Sequence, residues 1–343
     1  MKWQEDNSLE RPDGVSPLAV VRLVRVPPEL AGRRLDVFLT ETLRNTSRTR
    51  SQAIIENSAF SVSGKPLRSS DRVRAEDRVA LWRLPVDQLD EDIVLPILYE
   101  DEHLLVIDKP APLTVHPSAR HYQATVTKVL EGLRPTERIT LIHRLDKETS
   151  GVLLIARTKE ADRAFKLLLE HRSLAVMGVG KPRAVSPMAK TYLAITWGVP
   201  PDGLVELALE ADPHPLRVKM RVTHKTGGMD SATRFRVIED LGDYALVECQ
   251  LLTGRQHQIR VHLAALGCPV VGDKLYGPDD SCHARGSDGT LTADDLRKLE
   301  LPRQALHAHR YQLRHAITGE ELDLKAPLPD ELSEFLDSVR QSR

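Results

Sequence analysis

The sequence is organised around residues 141–157, which read L-I-H-R-L-D-K-E-T-S-G-V-L-L-I-A-R. The unbroken apolar run from Val152 to Ala156 predicts a strand buried in the core. Ionisable side chains cluster just before that strand, among them His143, Arg144, Asp146 and Lys147. A turn anchored by a buried strand holds its side chains in fixed geometry, as catalysis requires. Asp146 is therefore the candidate catalytic group, and the alternative is that it only ties a turn together with Thr149 or Ser150.

The composition is that of a folded globular protein with one large or two medium domains. The chain has 343 residues, of which 41% are hydrophobic, and this is enough to build a core. Aromatic residues make up 4% and the formal net charge is −1, so any nucleic-acid binding must rest on locally placed charges and hydrogen bonds. The charge is uneven, because residues 22–83 contain 13 Lys and Arg against 7 Asp and Glu.

The cysteine pattern and the N-terminus predict a cytoplasmic protein. Cys249, Cys268 and Cys282 form no C-x-x-C pair, and an odd number in a chain of this length does not suggest a disulfide framework. The first residues, M-K-W-Q-E-D-N-S, contain no apolar segment of the secretory type, and no window approaches the roughly 18 apolar residues of a membrane span. We expect a soluble protein without a membrane partner.

The N-terminal part predicts a flexible tail at 1–20 followed by a small basic domain at 21–83. Leu35, Phe38, Leu39 and Leu43 recur at helical spacing, a second helix is predicted to begin near Ser47, and two strand segments follow. The segment V-R-A-E-D-R-V-A-L-W, residues 73–82, predicts a pair of strands around an acidic turn. Several basic side chains lie along this domain: Arg44, Arg48, Arg50, Lys65, Arg68 and Arg72. They favour phosphate contacts, and the alternative is that they only keep the domain in solution.

Residues 84–96 carry four acidic residues between prolines and are predicted to be a linker to a second domain at 97–343. This domain alternates hairpin signals with few helices, the latter predicted near 124–133, 159–171, 253–267 and 329–340. Residues 174–189 read as a loop and 278–303 as a polar excursion. The pattern predicts an α+β fold with a mixed, largely antiparallel sheet.

The motif H-R-L-D-K-E-T-S-G-V-L-L-I-A-R resembles the central motif of the RluA-type pseudouridine synthases. Four further segments resemble the same family in the same order, and they lie at 108–117, 190–198, 251–277 and 304–329. The basic domain resembles the RNA-binding fold of ribosomal small-subunit protein four. The resemblance implies the pseudouridine synthase fold and an enzyme that isomerises uridine in RNA.

The resemblance also implies roles for individual residues. Asp146 would be the nucleophile, Arg260 its cation with Arg255 as the alternative, and Tyr192 the residue that stacks on the uracil. Arg144 would enter the space left by a flipped nucleotide, and His143 and Arg255 would contact RNA. Which carbon Asp146 attacks is not given by the sequence.

Several functions stay open or are disfavoured at this level. His143, His257 and His262 lack ligand spacing with carboxylates or cysteines, so no metal is predicted, and no cofactor signature is present. We expect a monomer whose partner is RNA. Large-subunit ribosomal RNA is the expected substrate, transfer RNA is an alternative, and a non-catalytic RNA-binding or ribosome-assembly factor is the alternative from another class.

Overall fold

The computed structural model describes residues 9–16, 19–43, 46, 48–83, 93–117, 124–176, 188–213, 219–279, 281–288 and 290–342. The chain forms two compact units, the first built mainly of residues up to Leu89 and the second mainly of residues from Asp90 onward. Residues 84–92 of the predicted linker lie outside the described residues. The division of the chain into a basic domain, a linker and a catalytic domain stays a prediction.

The first unit contains a three-stranded antiparallel sheet with the order β1-β3-β2 and two helices. Its elements are β1 (Val20–Arg25), α1 (Leu35–Thr42), α2 (Arg48–Ser58), β2 (Ala59–Ser61) and β3 (Arg78–Arg83). Leu35, Phe38 and Leu39, which the helical spacing had singled out, are buried in its core with Ile55 of α2. The two helices predicted from the sequence are therefore confirmed.

One prediction for the first unit is wrong. The acidic turn at Glu76 and Asp77 was expected to join two strands, but only the second of them forms, as β3. The backbone of Val73 instead exchanges hydrogen bonds with the loop before α1, donating to the Arg33 carbonyl at 3.0 Å and accepting from Gly32 at 2.7 Å. Because its polar groups are already satisfied there, this segment does not pair with β3.

The second unit is built on a ten-stranded sheet with the path β4-β5-β7-β14-β8-β13-β12-β9, to which β6 and β15 add at β7 and β14. Its first half contains β4 (Ile97–Glu100), β5 (Leu104–Lys109), α3 (Val126–Leu133), β6 (Thr140–Leu141), β7 (Ser150–Ala156), α4 (Lys159–Val176) and β8 (Met188–Trp197). Its second half contains β9 (Gly203–Glu206), β10 (Leu209–Ala211), β11 (Met220–Val222), β12 (Ala232–Asp240), β13 (Tyr244–Leu251), α5 (Gln258–Ala265), α6 (Ser281–Asp288), α7 (Ala293–Leu299), β14 (Leu306–Arg314), β15 (Glu321–Lys325) and α8 (Asp330–Gln341).

The α+β class with a mixed, largely antiparallel sheet is confirmed. Among the described strands, β7 and β14 form the parallel pair and the other pairings are antiparallel. Every residue of β7 is buried, as the apolar run of the central motif predicted. The hairpin β12–β13 turns at Leu241 to Asp243, where Gly242 has a φ of 77°, a conformation that favours glycine.

Gly151 allows β7 and β14 to pair in parallel. It lies opposite Ala308 in the pairing of β7 with β14, and its φ is 108°. A Cβ atom at this position would lie 2.2 Å from the Ala308 carbonyl oxygen. Only glycine therefore allows β14 to approach the start of β7, directly after the turn that carries Asp146.

The helix predicted at 253–267 begins later than expected, at Gln258. The reason is local, because the Gln258 side-chain oxygen accepts hydrogen bonds from the Thr253 hydroxyl at 2.8 Å and the Arg255 backbone at 3.0 Å. These bonds fold the residues before Gln258 into a turn. His257 ends that turn in the left-handed region, with φ 56° and ψ 16°.

The polar excursion at 278–303 contains two helices, α6 and α7, that the sequence had not predicted. Thr292 and Asp295 form a capping box at the start of α7, which satisfies its first backbone N–H groups. Asp279, Cys282 and Asp295 approach one another, and the Arg285 guanidinium donates to Asp295 at 2.7 Å. An arginine thus supplies the positive charge in this cluster. Of the loop predicted at 174–189, residues 177–187 lie outside the described residues.

The helices of the described ranges were also compared with the requirements of a bilayer. None of them combines the length and the apolar character needed to cross a membrane.

Candidate active site

Asp146 lies in the turn that leads into β7. The Thr149 backbone donates to the Asp146 carbonyl at 3.1 Å, and the Leu113 backbone donates to the Lys147 carbonyl at 2.9 Å. The turn is therefore tied by backbone groups, and the Asp146 side chain is not needed to close it. That side chain is 33% exposed, which leaves one side of the carboxylate open to a reactant.

Arg260 holds the Asp146 carboxylate. Its Nη1 donates to Asp146 Oδ2 at 2.8 Å, while its Nε and Nη2 donate to the two carboxylate oxygens of Asp273 at 2.6 and 2.8 Å. Asp273 is itself buried and accepts the backbone N–H groups of Leu275 and Tyr276. The guanidinium is thus fixed from behind by a bidentate pair and offers its remaining edge to Asp146.

Arg255, the alternative cation, does not take this position. Its Nε donates to the carbonyl oxygen of Asp230 at 3.0 Å. The structure therefore pairs Asp146 with Arg260.

His257 approaches the other carboxylate oxygen from a strained backbone conformation. Its Nε2 lies 3.8 Å from Asp146 Oδ1, and its Nδ1 lies 2.8 Å from the hydroxyl of Tyr276. That hydroxyl also accepts the Met220 backbone N–H at 2.8 Å. When Tyr276 donates to Nδ1, the neutral ring carries its proton on Nε2, toward Asp146.

The charges around Asp146 keep it ionised. Burial raises the pKa of Asp146. The charges of protonated His257 and of Arg260, together with hydrogen bonds from Arg260 and Gln304, lower it by more, so the pKa lies below its ordinary value. Burial lowers the pKa of His257 to about 4 in spite of the opposing charge of Asp146. His257 is therefore neutral at pH 7, and Arg260 is the cation that balances the carboxylate there.

A second group of side chains fixes the residues that follow Asp146. Lys274 Nζ donates to Glu148 Oε1 at 2.6 Å, Arg303 Nη1 donates to the Glu148 carbonyl at 3.0 Å, and Gln304 Nε2 donates to the Thr149 hydroxyl at 2.7 Å. All three donors are buried. The turn is thus held by charge-assisted and amide hydrogen bonds from residues well over a hundred positions away.

Lys109 ties the segment 108–117 to the same turn. It is fully buried, and its ammonium donates to the carbonyls of Pro110 and Leu113, both at 2.8 Å, and of Lys147 at 3.2 Å. Burial, followed by the charge of Arg303, lowers the pKa of Lys109 to about 7. Two of the sequence motifs therefore meet at one lysine.

Tyr192 lies on β8 with its ring buried. Its hydroxyl oxygen is 2.6 Å from that of Tyr311 on β14. Arg144, two residues before Asp146, is exposed, whereas His143 accepts the Leu154 backbone N–H on Nε2 at 3.2 Å. His143 is thus engaged by the sheet, and its contact with RNA stays a prediction.

In the first unit, the basic residues predicted to contact RNA are mostly at the surface. Arg50, Lys65 and Arg68 are exposed, and Arg44 lies outside the described residues. Arg48 is exposed as well, but its Nε donates to Asp36 at 3.1 Å. Part of its charge is therefore committed within the fold.

Sequence reasoning missed several residues that surround Asp146. They are His257, Asp273, Tyr276, Gln304 and Lys109. Three of them lie within the segment 251–277, in which the sequence predicted site roles only for Arg255 and Arg260. Their signal was the density of ionisable and hydrogen-bonding residues around Arg260, because a buried arginine needs a partner for each edge of its guanidinium.

The arrangement suits nucleophilic attack by a carboxylate. Asp146 is ionised at neutral pH, so it needs no neighbouring base for activation. Arg260 fixes its direction, and the open side leaves room for a reactant.

Comparisons with known proteins identify the family of the chain. A family model described as RNA pseudouridylate synthase matches residues 103–265. The chain is 35% identical to the ribosomal large subunit pseudouridine synthase D of Xanthomonas campestris pv. campestris, over 94% of this chain and 93% of the relative. It is 36% identical to the protein of the same name from Nitrosomonas europaea, over 92% and 87%.

A solved structure is also similar. Human RNA Pseudouridylate Synthase Domain Containing 4 superimposes with a TM-score of 0.52 at 29% sequence identity, and the match covers 71% of this chain and 93% of the human chain.

Proposed function

The chain belongs to the RNA pseudouridylate synthase family, and we propose that it isomerises specific uridines of large-subunit ribosomal RNA with Asp146 as the nucleophile. It is an enzyme of the isomerase class that acts on RNA. The observation that carries the assignment of the nucleophile is the ionised, partly exposed Asp146 carboxylate held at 2.8 Å by a buried Arg260.

The residue types follow from the reaction. The bond between the ribose and a ring nitrogen of uracil breaks, the uracil turns, and its fifth ring carbon bonds to the ribose while the hydrogen of that carbon leaves as a proton. A nucleophile must hold one fragment during the turn, and an oriented carboxylate serves. Asp273 lets Arg260 keep its position while the charge on Asp146 changes, since its bidentate pair does not involve the reacting oxygen atoms.

The base must leave the RNA stack to reach a partly buried carboxylate. Arg144 is exposed and lies two residues before Asp146, and its proposed role is to occupy the vacated position or to hold a phosphate. Tyr192 offers a ring to stack on the uracil and a hydroxyl near the carbon that loses its proton.

The RNA target is proposed from the relatives, which are named as ribosomal large-subunit enzymes over nearly the whole length of this chain. Transfer RNA is the alternative. Cytoplasm is the proposed location, because ribosomal RNA is available there and the three cysteines of the chain are free thiols, as in a reducing compartment.

The activity is tested with RNA carrying tritium on the fifth carbon of uridine, whose release into water accompanies the new carbon–carbon bond. The wild-type chain should release label from ribosomal RNA, and Asp146→Ala should release none. Arg236→Ala is a matched control, because it removes an exposed arginine of β12 that pairs with Glu248. Zero release by the wild-type chain with several RNAs would instead favour a non-catalytic RNA-binding factor.

The target is tested by mapping pseudouridine across the transcripts of cells that contain the wild-type chain or Asp146→Ala at equal protein level. Sites that vanish in large-subunit ribosomal RNA support the proposal. Sites that vanish only in transfer RNA contradict the proposed target while leaving the activity intact.

The first unit is proposed to bind RNA in the manner of ribosomal small-subunit protein four. Support comes from its two-helix and small-sheet architecture and from the exposed side chains of Arg50, Lys65 and Arg68. Each phosphate contact steepens the salt dependence, with a slope of about −0.7 per contact for single strands.

Replacing these three residues by Gln in the full chain should weaken binding to ribosomal RNA and flatten that slope. Arg297→Gln with Lys298→Gln on α7 is the control, because these exposed cations lie in the other unit. Equal affinity and slope in the triple variant and the wild-type chain would contradict RNA binding by these residues.

A further inference from the structure

Two tyrosines contact each other inside the second unit through their hydroxyl groups. Tyr192 on β8 is 6% exposed and Tyr311 on β14 is 0% exposed. Their hydroxyl oxygens are 2.6 Å apart, a hydrogen bond in which either group can donate. The rings are tilted by 53° with centroids 6.1 Å apart, so the hydroxyl groups, and not stacked rings, make the contact.

The register of the sheet produces this contact. Tyr311 lies opposite Lys190 in the antiparallel pairing of β14 with β8, and the register shifts between His307 and Arg310. Lys190 and Tyr192 are two residues apart on β8 and share a face. Tyr311 is therefore the diagonal neighbour of Tyr192 on that face. Rigid strands, and not a loop, set the distance between the two hydroxyl groups.

The Tyr311 ring is held on more than one side. The Lys190 ammonium lies 4.8 Å from its ring centroid, a favourable cation–π geometry. The His143 ring lies 5.4 Å away, and His143 is fixed by the Leu154 backbone. The hydroxyl of Tyr311 thus has a defined position before any substrate arrives.

We propose that Tyr311 is a positioning residue that fixes the direction of the Tyr192 hydroxyl. This inference rests on the proposed role of Tyr192 beside the fifth carbon of uracil. A phenol hydroxyl can rotate about its C–O bond, and its proton and lone pairs rotate with it. The hydrogen bond to Tyr311 fixes that rotation, so that Tyr192 presents the same side of its oxygen atom to each substrate base.

Tyr311→Phe tests the proposal, because it removes one oxygen atom and keeps the ring between Lys190 and His143. We expect kcat to fall about tenfold with KM within about twofold of the wild-type value, the pattern of an interaction used only in the transition state. Tyr244→Phe is the matched control. It removes a hydroxyl that donates to Glu300 at the same distance of 2.6 Å on β13, and kcat should not change.

A double variant separates positioning from general packing. Tyr311→Phe should lower kcat no further when Tyr192 is already Phe, as measured by single-turnover label release with excess enzyme. Tyr311→Met removes the ring as well as the hydroxyl, so it should lose at least as much kcat as Tyr311→Phe, and it provides a second measurement if that variant does not fold.

Two outcomes would overturn the inference while the proposed function stands. One is wild-type kcat in Tyr311→Phe together with a large loss in Tyr192→Phe. The other is losses that multiply in the double variant, because independent effects mean that Tyr311 does not act through Tyr192. Wild-type kcat in Tyr192→Phe would instead contradict the proposed role of Tyr192.

Discussion

Asp36 in the first unit and Asp146 in the second are both held by arginines, but the acid is the buried partner in the first pair and the arginine is the buried partner in the second. In the first unit, Asp36 is fully buried, while its partners Arg34 and Arg48 are 42% and 60% exposed. In the second unit, Asp146 is 33% exposed and its partner Arg260 only 7%. The same two residue types thus build a closed cluster in one unit and an open site in the other.

The difference shows how an ion pair becomes available for chemistry. Around Asp36, both oxygens are used by donors from Arg34, Arg48, Gln52 and the Val37 backbone, so no reactant can approach. Around Asp146, the cation is buried and is held by a second carboxylate, Asp273. Burying the cation leaves the anion at the surface of the site, where it can react.

The largest expected effect comes from the same substitution at both aspartates. Asp146→Asn should lower kcat about a thousandfold or more, because a neutral amide oxygen is a poor nucleophile. Asp36→Asn should leave kcat per folded molecule unchanged. Label release from uridine in ribosomal RNA measures both, and comparable losses at the two positions would contradict the distinction between a closed cluster and an open site.

The next effect concerns the arginines. Arg260→Ala leaves Asp273 buried without its cation and should lower the free energy of unfolding by about 3–5 kcal/mol, with loss of activity. Arg34→Ala removes a partly exposed cation and leaves Arg48 and Gln52 as donors to Asp36, so it should destabilise the chain less than Arg260→Ala does. Urea unfolding followed by circular dichroism gives both values. Equal destabilisation would show that burial of the cation does not distinguish the two clusters.

Acid should affect the two units over different pH ranges. The 13 histidines of the chain all follow residue 100, and burial lowers the pKa values of His257, His262 and His307 to about 4. Their ordinary pKa is near 6.5, so the unfolded chain binds more protons between pH 6.5 and 4. The second unit should therefore lose stability as the pH falls through that range, by up to about 1.4 kcal/mol per pH unit for each histidine.

The first unit should resist this range of pH. Hydrogen bonds from Arg34, with those from Gln52 and Arg48, hold the pKa of Asp36 below its usual value. Its stabilisation is present above the ordinary pKa of about 3.9 and is lost only as the pH falls below it. Amide hydrogen exchange recorded from pH 7 to pH 4 tests the order, and earlier loss of protection in α1 and α2 than in β7 would contradict it.

The smallest effect sharpens the description of the closed cluster. Asp36→Asn leaves one acceptor oxygen for several donors and should lower the local stability of the first unit by about 1–2 kcal/mol. Faster hydrogen exchange in α1 and α2, with unchanged exchange in β7, is the expected result. Hydrogen exchange that becomes faster to the same extent in both units would contradict the prediction that the Asp36 cluster stabilises only the first unit.

The sequence allowed the local features to be predicted and left the distant contacts unknown. The buried strand β7, the hairpins of the second unit and the α+β class follow from periodicity over a few residues, and these predictions hold. α5 starts at Gln258 because of side-chain hydrogen bonds, and Val73 pairs with the loop before α1 through backbone hydrogen bonds. Helix and strand propensities describe neither kind of bond.

The residues that hold the site side chains were harder to predict, because they are distant in sequence and only the folded sheet brings them together. Gln304 contacts Thr149 across 155 residues, and Tyr311 reaches Tyr192 across 119. Asp273 lies only 13 residues from Arg260, but nothing in a single sequence shows that its carboxylate turns back toward α5. Family resemblance supplied Arg260, Asp146 and Tyr192 as candidates without the residues that hold them.

The parallel pairing of β7 with β14 at Gly151 has a consequence for the biosynthesis of the enzyme. In the sheet β14 lies between β7 and β8, although it is translated more than a hundred residues after β8 begins. A nascent chain that has emerged only as far as α7 lacks the strand that joins the two parts of its sheet, and it also lacks Gln304 and Tyr311. Contacts of such long sequence separation form late and slowly. The second unit can therefore bring Gln304 and Tyr311 to Thr149 and Tyr192 only after β14 has left the ribosome.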